Sequence, residues 1–542
     1  MLKAIELENF KAFGDRSRIE FAPITLIFGE NSAGKSSILQ ALNLLKQSRE
    51  GRDTGAVVLP RADSGIVDLG GFKEMVFDHD LDRRIAIRVD LIDSGSRLQR
   101  EARDGMRGDT AFQIEFDRPS NCKEIQLKSI SLYASELAQL VATFEPIDYS
   151  DVEQQKLSHG LLPVRNYRPE STNETTFAQC VFLSPHPSLW QEIYERTKRR
   201  SEKIADELRQ LQSESQDSTT QLSIFNVDDS ERQTWSLQVD EAIQFYDSNF
   251  SIVEFVKRMM RAESQTKVAL DGFIPLPLRH RETAGLPELE TFRRYGPSRL
   301  RMRELTLDLM SYAVESGRRL EGMLDSVYPL GPFRRPPARL YAFAGKSPHD
   351  VGYAGDQLPD LLFRRPEVVR EANQWMDRLE IGYHIKVQPV GEDSRDLYEV
   401  RLVDRQRSTE VDVALTDVGF GISQILPLII QSLAGDNQII TIEQPEVHIH
   451  PRLQADLGDL LAATIQEPRG HRFIVETHSE HLVLRMQRLI REEILSPSDV
   501  SILYVRRGPK GSQVERLRLD ESGEFIDDWP GGFFPERLRE LM

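Results

Sequence analysis

The chain has 542 residues, 39% of them hydrophobic and 29% charged, so we expect a soluble globular protein of two or three domains. No apolar run approaches the roughly 20 residues of a membrane helix, and the opening MLKAIELENFKAF lacks the apolar core of a signal peptide. The only cysteines, Cys122 and Cys180, argue against a disulfide framework or a cysteine zinc site and favour the cytoplasm. The net charge of −17 disfavours a surface uniformly suited to nucleic acid.

The first 95 residues predict the opening of an α/β nucleotide-binding fold. KAIELENF alternates apolar and polar residues like a strand, and APITLIF is a short apolar strand that leads into a glycine-rich loop. SSILQALNLLK follows with the spacing of a helix, and RIAIRVDLI, ending at Ile92, predicts another strand. We therefore assign residues 1–95 to the N-terminal half of a nucleotide domain.

The loop in this segment matches the phosphate-binding pattern G-x-x-x-x-G-K-[ST] at every fixed position. Glycines let backbone N–H groups face phosphate oxygens, and the following helix adds its positive end. We expect Lys35 to reach the β- and γ-phosphates of ATP and Ser36 to bind Mg²⁺. The predicted nucleotide-binding residues are Gly29, Asn31, Ser32, Ala33, Gly34, Lys35, Ser36 and Ser37.

The middle of the chain, residues 96–327, predicts a mainly helical insertion. Three stretches have helical spacing: WQEIYERTKRRSEKIADELRQLQSE, SIVEFVKRMM and RELTLDLMSYAVESGRRLEGML. No heptad repeat runs on for hundreds of residues, so long coiled-coil arms are not expected.

The α/β pattern returns near Tyr383. YHIKVQPV and LYEVRLVD predict a hairpin. Helices and strands then alternate in the order SQILPLIIQSLA, NQIITIEQP, PRLQADLGDLLAATI, HRFIVETHS, EHLVLRMQRLIREEI and VSILYVRRG. This alternation predicts a parallel sheet and a nucleotide domain split between the two ends of the chain. We assign residues 328–510 to its C-terminal half and residues 511–542 to a short tail.

The apolar strand IITIEQPE supplies an acid. Glu443 ends the strand and is the expected Mg²⁺ acid, directly or through water. Gln444 follows it, and an amide orients water but cannot take a proton at neutral pH. Glu446 could compensate as the catalytic base; alternatively hydrolysis is slow and the protein is mainly a clamp held by ATP.

Four segments in this order, GENSAGKSS, DVGFGISQILPLI, IEQPEVHIHP and ETHSEHL, resemble the ATPase domain of the OLD-like branch of ABC ATPases, which is related to the SMC family. YPLGPFRRPPARLY and the C-terminal FIDDWPGGFFPERLREL resemble segments found in a subset of these proteins, the latter a tail domain of unknown function. The resemblance covers the stretch up to Ile92 and most of the chain after Tyr328. It implies an α/β fold: a split ABC-type P-loop ATPase domain with a mainly helical insertion.

The resemblance also implies roles for matched residues. Gly419, Gly421 and Ser423 match the signature loop, which in this family contacts the γ-phosphate held by the other subunit. His478 matches the switch histidine that senses the γ-phosphate. These matches imply a homodimer, or a higher oligomer, that closes around ATP and Mg²⁺.

His448 and His450 form an H-x-H pair that could bind a metal. The resemblance favours a different assignment, because the family has an HLHP turn at this place between the acids and the next helix.

Many OLD-like proteins carry a C-terminal Toprim nuclease. Only the stretch from Val483 to Met542 follows ETHSEHL, so we expect no intrinsic nuclease and a separate effector protein for any cleavage. Three arginine-rich clusters, Arg196–Arg200, Phe292–Arg303 and Gly331–Arg339, are candidates for DNA contact. A solvated helix face or a protein interface is the alternative for each cluster.

Three functions are compatible with this pattern. The first is the ATP-binding sensor or regulatory subunit of an anti-phage defence system, holding a separate nuclease or toxin in check. The second is a DNA-repair or recombination ATPase related to RecF, acting on DNA directly. A transporter subunit is disfavoured, because the signature reads GFGIS and the insertion is long.

Overall fold

The computed structural model describes residues 1–51, 57–61, 65–92, 109–120, 122–134, 139–147, 176–183, 267–276, 312–343, 347–391, 396–406 and 411–530, with isolated residues between 194 and 244 and at 310 and 345. The chain divides into two compact units. We call the first the terminal unit; it comprises Leu2–Gly51, Val58–Ile87 and Gly322–Met542. The middle unit comprises Arg88–Glu321 with Met1 and Arg52–Val57.

The N-terminal part of the terminal unit places the phosphate-binding loop between a buried strand and a helix. Its elements are β1 (Leu2–Glu8), β2 (Ser17–Glu20), β3 (Ile24–Gly29), α1 (Lys35–Glu50), the single turn α2 (Phe72–Met75) and β4 (Ile85–Leu91), whose end belongs to the middle unit. β1 and β2 pair antiparallel. The apolar run ITLIF makes β3 a fully buried strand, and the helix predicted after the loop is present as α1.

The middle unit contains strands that the sequence analysis missed. They are β5 (Thr110–Asp117), β6 (Gln126–Ala134), β7 (Gln139–Ile147), β8 (Thr176–Leu183), β9 (Lys267–Asp271) and β10 (Ile274–Leu276). Each pairs antiparallel with the next. Segments such as QLKSISLYA alternate with a period of two, which is a weaker signal than the charged helical pattern that follows. The insertion therefore combines a sheet with helical segments.

The structure describes only part of the segments that were predicted to be helices in the insertion. The described positions between 194 and 213 are helical, as are residues 312–325. The candidate at residues 251–260 lies outside the described residues.

The C-terminal part of the terminal unit follows the predicted alternation closely. Its strands are β11 (Val327–Leu330), β12 (Tyr341–Ala342), β13 (Tyr383–Pro389), β14 (Leu397–Asp404), β15 (Val411–Ala414), β16 (Ile439–Glu443), β17 (Arg472–Glu476), β18 (Val500–Gly508) and β19 (Gly511–Leu517). Its helices are α3 (Leu358–Arg364), α4 (Pro366–Arg378), α5 (Phe420–Ala434), α6 (Pro451–Thr464) and α7 (Glu480–Arg491). β13 and β14 form the predicted antiparallel hairpin.

A six-stranded sheet brings the two ends of the chain together. Its strand order is β11-β16-β17-β3-β18-β19, and every neighbouring pair is parallel except β18 with β19. β3 from the N-terminal segment therefore lies between two strands from the C-terminal segment. The prediction of a split α/β domain is confirmed.

Apolar side chains from the strands and helices form one continuous core. Leu26 on β3, Ile442 on β16 and Ile429 on α5 are fully buried in it. Burying such side chains contributes roughly 1.5–3 kcal/mol each, which makes this sheet a rigid support for the loops at its edge.

The segment after β19 packs on the strand that carries the phosphate-binding loop. The ring of Trp529 lies 5.8 Å from that of Phe28, and it also meets Tyr504 and Phe525 edge-on. The carboxylate of Asp527 accepts hydrogen bonds from the side chain and backbone of Arg518. Within the described part of the chain, no helix combines the length and apolar character required to cross a membrane.

Candidate functional site

Five neighbouring parallel strands, β11, β16, β17, β3 and β18, end at one edge of the six-stranded sheet. Glu443 at the end of β16 is in register with Glu476 at the end of β17, and Glu476 is in register with Ile27 of β3. Parallel strands point the same way, so their carboxyl ends form a crevice where ligands bind in open α/β sheets. The phosphate-binding loop and both glutamates therefore share one edge.

The loop after β3 needs its glycines. Gly29 has φ 142°, and a Cβ there would lie 2.0 Å from the carbonyl oxygen of Val505. Gly34 has φ 96°, and a Cβ there would lie 2.6 Å from Ser512 Oγ. Ser512 Oγ donates to the carbonyl oxygen of Ala33 at 2.5 Å. The β18–β19 hairpin thus holds the loop from outside.

The remaining loop candidates lie in the loop itself and in the first turn of α1. Asn31 and Ser32 are exposed, and Ser32, with φ 59°, accepts a hydrogen bond at its carbonyl oxygen from Arg507 Nε at 3.2 Å. Ser37 is buried in the first turn of α1 and donates its N–H to the carbonyl oxygen of Gly34 at 3.1 Å.

Lys35 is folded back over this loop and only 4% exposed. Its Nζ donates to the carbonyl oxygens of Gly29 at 3.1 Å and Glu30 at 2.8 Å. Burial lowers the pKa of Lys35, and the carboxylates of Glu476 and Glu446 partly offset that effect. Contact of this ammonium with the β- and γ-phosphates stays a prediction.

Ser36 and the glutamates form an oxygen-rich cluster. Ser36 Oγ donates to Glu476 Oε1 at 3.0 Å, while Glu476 Oε2 is buried without a hydrogen-bond partner. Tyr353 donates its hydroxyl to Glu443 Oε1 at 3.1 Å. Burial and the charge of Glu476 raise the pKa of Glu443 to about 7, and burial raises the pKa of Glu476 as well.

This cluster fits Mg²⁺ chemically. A divalent cation would relieve the repulsion between Glu443 and Glu476 and give the unpaired oxygen of Glu476 a partner. Hydroxyl and carboxylate oxygens are suitable ligands, and Mg²⁺ usually needs only one or two carboxylates beside water and phosphate. Among the described residues no set of three or more His, Cys, Asp or Glu side chains could by itself hold a metal ion.

Two members of this cluster, Glu476 and Tyr353, were not predicted. Glu476 carries a usable signal, because in HRFIVETHS a glutamate directly follows the apolar strand, as Glu443 does in IITIEQPE. Tyr353 carries none, since it lies in a loop far from any motif.

Gln444 and Glu446 occupy the turn after β16. Gln444 is half-buried with φ 46°, and its N–H donates to the carbonyl oxygen of Glu476 at 2.8 Å. Glu446 Oε2 accepts from Thr477 Oγ1 at 2.6 Å, and its Oε1 accepts from the N–H of His478 at 2.7 Å. Glu446 therefore ties the turn after β16 to the turn after β17.

The switch-histidine candidate is exposed at this second turn. Desolvation and the nearby ammonium of Lys35 lower the pKa of His478, while Glu446 acts in the opposite direction. The imidazole is therefore mainly neutral at pH 7, a form that offers both a donor and an acceptor nitrogen.

The signature residues begin α5 and lie against the turn after Glu443. Gly419 precedes the helix, and a Cβ on Gly421 would lie 2.7 Å from the carbonyl oxygen of His448. The hydroxyl of Ser423 donates to the carbonyl oxygen of Phe420 at 2.7 Å, within its own helix. Contact with a second subunit's nucleotide stays a prediction for these residues.

The two histidines of H-x-H have separate local roles. The ring of His448 meets Phe420 edge-on at 5.0 Å. His450 precedes α6, and its Nδ1 accepts from the N–H of Arg452 at 3.3 Å, which caps the helix.

The structure describes only part of the three arginine-rich clusters. Phe292–Arg303 lies outside the described residues, and of Arg196–Arg200 only Lys198 and Arg199 are described. In Gly331–Arg339, Arg339 makes a bidentate pair with Asp417. Arg334 of the same cluster is buried.

Comparison with protein families gives two matches. A model of the AAA ATPase domain matches residues 1–258 and 368–483, which together make up more than half of the chain. A model described as protein of unknown function (DUF3696) matches residues 495–542.

Individual relatives include SMC proteins. A chromosome partition protein Smc from Rhodopirellula baltica is 41% identical over 64 residues, which is 11% of this chain and only 5% of that protein. An Smc head domain with an extended coiled coil, bound to the C-terminal domain of ScpA and derived from Pyrococcus furiosus, has a TM-score of 0.39 and 11% identity, covering 100% of this chain and 99% of that one. The SMC head domain from Thermotoga maritima has a TM-score of 0.34 and 10% identity, covering 96% and 99%.

Proposed function

The chain belongs to the AAA ATPase domain family, and on this premise we propose that it is a slow, ATP-gated switch. It binds ATP with Mg²⁺, dimerises around the nucleotide and hydrolyses it slowly. The change between open and closed dimer is its output.

The observation that carries this proposal is the composition of the sheet edge. A P-loop ATPase requires an ammonium that contacts phosphate, and a hydroxyl and an acid that bind Mg²⁺. Lys35, Ser36 and Glu443 can supply these three groups. The residue after Glu443 is Gln444, whose amide has no basic group for a proton of water at neutral pH. The edge is thus complete for binding and lacks the usual carboxylate for hydrolysis.

Glu446 is the other candidate for the base, and its contacts favour a different role. Both carboxylate oxygens already accept short hydrogen bonds from Thr477 and His478. We infer that Glu446 positions the switch turn, so that contact of His478 with the γ-phosphate is transmitted to the turn after β16.

Mg²⁺, held by Ser36 and Glu443, would neutralise phosphate charge and polarise the bond that breaks. The chain's own part is orientation. The loop N–H groups and Lys35 fix the phosphates, and the amide of Gln444 orients water.

The signature residues support the proposal of a dimer. Gly419 is exposed and Phe420 is 49% exposed at the start of α5, beside the turn that follows Glu443. We propose that this exposed start of α5 meets the nucleotide of a second copy, where the helix N-terminus favours the γ-phosphate.

At the biological level we propose a cytoplasmic sensor or regulatory subunit of OLD-like type, acting in anti-phage defence on a separate effector, a nuclease or a toxin. The resemblance of the motifs and of the C-terminal tail supports this role. The alternative is a RecF-like ATPase acting on DNA. In the described cluster Gly331–Arg339, Arg334 is buried and Arg339 is paired with Asp417, which leaves Arg335 as its other exposed arginine.

Two measurements on purified protein test the biochemical proposal. ATP turnover should lie well below about 1 s⁻¹, the lower end of the range typical of enzymes. Mass in solution should double when ATP is added in place of ADP. Fast ATP turnover with no change in mass in solution would overturn the proposal of an ATP-gated switch.

Two further experiments separate the biological alternatives. For a regulatory subunit, the protein should co-purify with a product of a neighbouring gene and alter phage plating. Salt-sensitive, ATP-dependent binding to gapped duplex DNA, without such a partner, would instead establish the DNA-acting alternative.

A further inference from the structure

A buried arginine approaches the same sheet edge without a partner. Arg334 lies in the loop after β11 and is 5% exposed. Its Nε and both terminal nitrogens are buried, and none of the three has a hydrogen-bond partner. Buried charges in proteins are normally paired, because desolvation without compensation is costly. Three unpaired nitrogens on one side chain therefore point to a ligand that supplies acceptor atoms.

The loop of Arg334 is fastened to the segment that contacts the magnesium acid. Gly331 donates its N–H to the carbonyl oxygen of Tyr353 at 2.9 Å, and Arg335 donates to that of Ala354 at 2.7 Å. The side-chain stem of Arg334 packs beside Gly355, where a Cβ would lie 3.9 Å from its Cγ. Because Tyr353 hydrogen-bonds Glu443, this packing brings the guanidinium to the Glu443 side of the edge.

The nearby carboxylates do not satisfy Arg334. Glu443 accepts from Tyr353, and Glu446 accepts from the turn after β17. Burial lowers the pKa of Arg334 to about 10, although Glu446 and Glu443 act to raise it. The guanidinium is therefore still charged at neutral pH, and its nitrogens are free to bind an anion.

We propose that Arg334 binds the terminal phosphate of ATP within its own subunit and so distinguishes ATP from ADP. This inference rests on the proposed function. β11 is next to β16, on the side away from β3, so Arg334 and Lys35 approach from opposite sides of Glu443. Glu443 would hold Mg²⁺ beside the phosphates. We expect Arg334, on the far side of Glu443 from Lys35, to meet the terminal phosphate. A planar guanidinium suits phosphate oxygens better than an ammonium does.

The test is calorimetric titration of the full-length protein with ATPγS and with ADP, both with Mg²⁺. Arg334→Met keeps an unbranched side chain in the buried space, and Arg335→Met is the matched control, because Arg335 is exposed in the same loop. We expect Arg334→Met to weaken ATPγS binding about 10- to 100-fold and ADP binding less than about 3-fold. Arg335→Met should leave both affinities within about 2-fold of the unchanged protein.

A second variant and a second readout guard against misfolding. Arg334→Lys keeps the positive charge but not the planar guanidinium with its paired donors. The loss of affinity should therefore be intermediate and again confined to ATPγS. Without nucleotide, the Tm of Arg334→Met should match or exceed that of the unchanged protein, because the variant removes an unpaired buried charge. ATPγS should raise the Tm less in this variant than in the unchanged protein.

The outcomes separate this inference from the proposed function. Equal losses for ATPγS and ADP, or no loss for either, would overturn the role of Arg334. If the unchanged protein binds neither nucleotide, the proposed function itself fails.

Discussion

Lys35 and Arg334 are two buried cations at one sheet edge, and the protein holds them in opposite ways. Lys35 donates to two backbone carbonyl oxygens of its own loop. Arg334 has no hydrogen-bond partner for any guanidinium nitrogen. The β3 side is therefore stable without a ligand and ready for any nucleotide phosphate, whereas the β11 side is satisfied only when an anion arrives. The contrast assigns general affinity to one side and recognition of the terminal phosphate to the other.

The largest effect should come from the β3 side. Lys35→Ala should weaken binding of both ATPγS and ADP by about 100-fold or more, because both nucleotides lose the contact to the β-phosphate. Lys510→Ala is the control, since Lys510 is 79% exposed at the turn between β18 and β19. A loss confined to ATPγS would break the comparison, because that behaviour belongs to Arg334.

The second prediction concerns Glu443, between the two cations. Its pKa rises from 4.5 to about 7 in the folded protein, so the folded state binds the extra proton between those values. The stability from this proton is present below pH 4.5 and is lost as the pH rises through about 7, on the order of 3 kcal/mol in total. In EDTA, the Tm of Glu443→Gln should therefore rise relative to that of the unchanged protein as the pH is raised from 5 to 8.

Added Mg²⁺ should abolish this relative rise in Tm, because it stabilises the unchanged protein at high pH. Glu30→Gln, an exposed substitution in the phosphate-binding loop, should show no such pH-dependent difference. A constant difference in Tm across the pH range would contradict the assignment of Glu443 as a strained magnesium acid.

A smaller effect is expected at Glu446. Glu446→Gln leaves one acceptor oxygen for two donors, so the tie between Thr477 and His478 should loosen and turnover should fall about 10-fold. The pH profile of turnover should keep its shape. A fall of about 100-fold or more with loss of an acid limb would make Glu446 the base, and unchanged turnover would remove it from the mechanism.

The smallest effect on nucleotides is expected at the tail. Trp529→Ala removes the ring that packs on Phe28, and we expect a loss of roughly 1–3 kcal/mol in the free energy of unfolding. Affinities for ATPγS and ADP should change together by less than about 3-fold. Ile526→Ala, at a residue that is 57% exposed, is the control and should leave the Tm nearly unchanged. An altered ratio of the two affinities would mean that the tail takes part in recognition.

The two sides of the edge also differ in how far sequence predicted them. The β3 side is encoded in one contiguous segment, in which glycine spacing, an apolar strand and a helix all agree. The place of Lys35 at the start of the helix after the loop could therefore be predicted without a structure. Glu443 could be predicted for the same reason. Arg334 lies in a cluster whose sequence suggested contact with DNA or protein, and Tyr353 lies in a loop without a motif. Only the parallel pairing of β11 with β16 and the hydrogen bond from Gly331 to Tyr353 bring them to the acids.

The middle unit illustrates a related limit. Its strands alternate over short segments with long separations, as between β8 and β9, and pairing partners so distant in sequence are not visible in any local pattern. The helical stretches, by contrast, are long and strongly charged, and they were predicted at the expense of the strands.

The central claim is that Gln444 makes this ATP site slow, and single-turnover hydrolysis tests it most directly. With Mg²⁺ present and protein in excess over ATP, the unchanged protein should hydrolyse ATP at a rate well below about 1 s⁻¹. Gln444→Glu should accelerate hydrolysis about 10- to 100-fold, because it supplies a carboxylate base. Gln466→Glu, at an exposed residue just after α6, is the control and should give no acceleration. Rapid hydrolysis by the unchanged protein, with no acceleration in Gln444→Glu, would contradict the account.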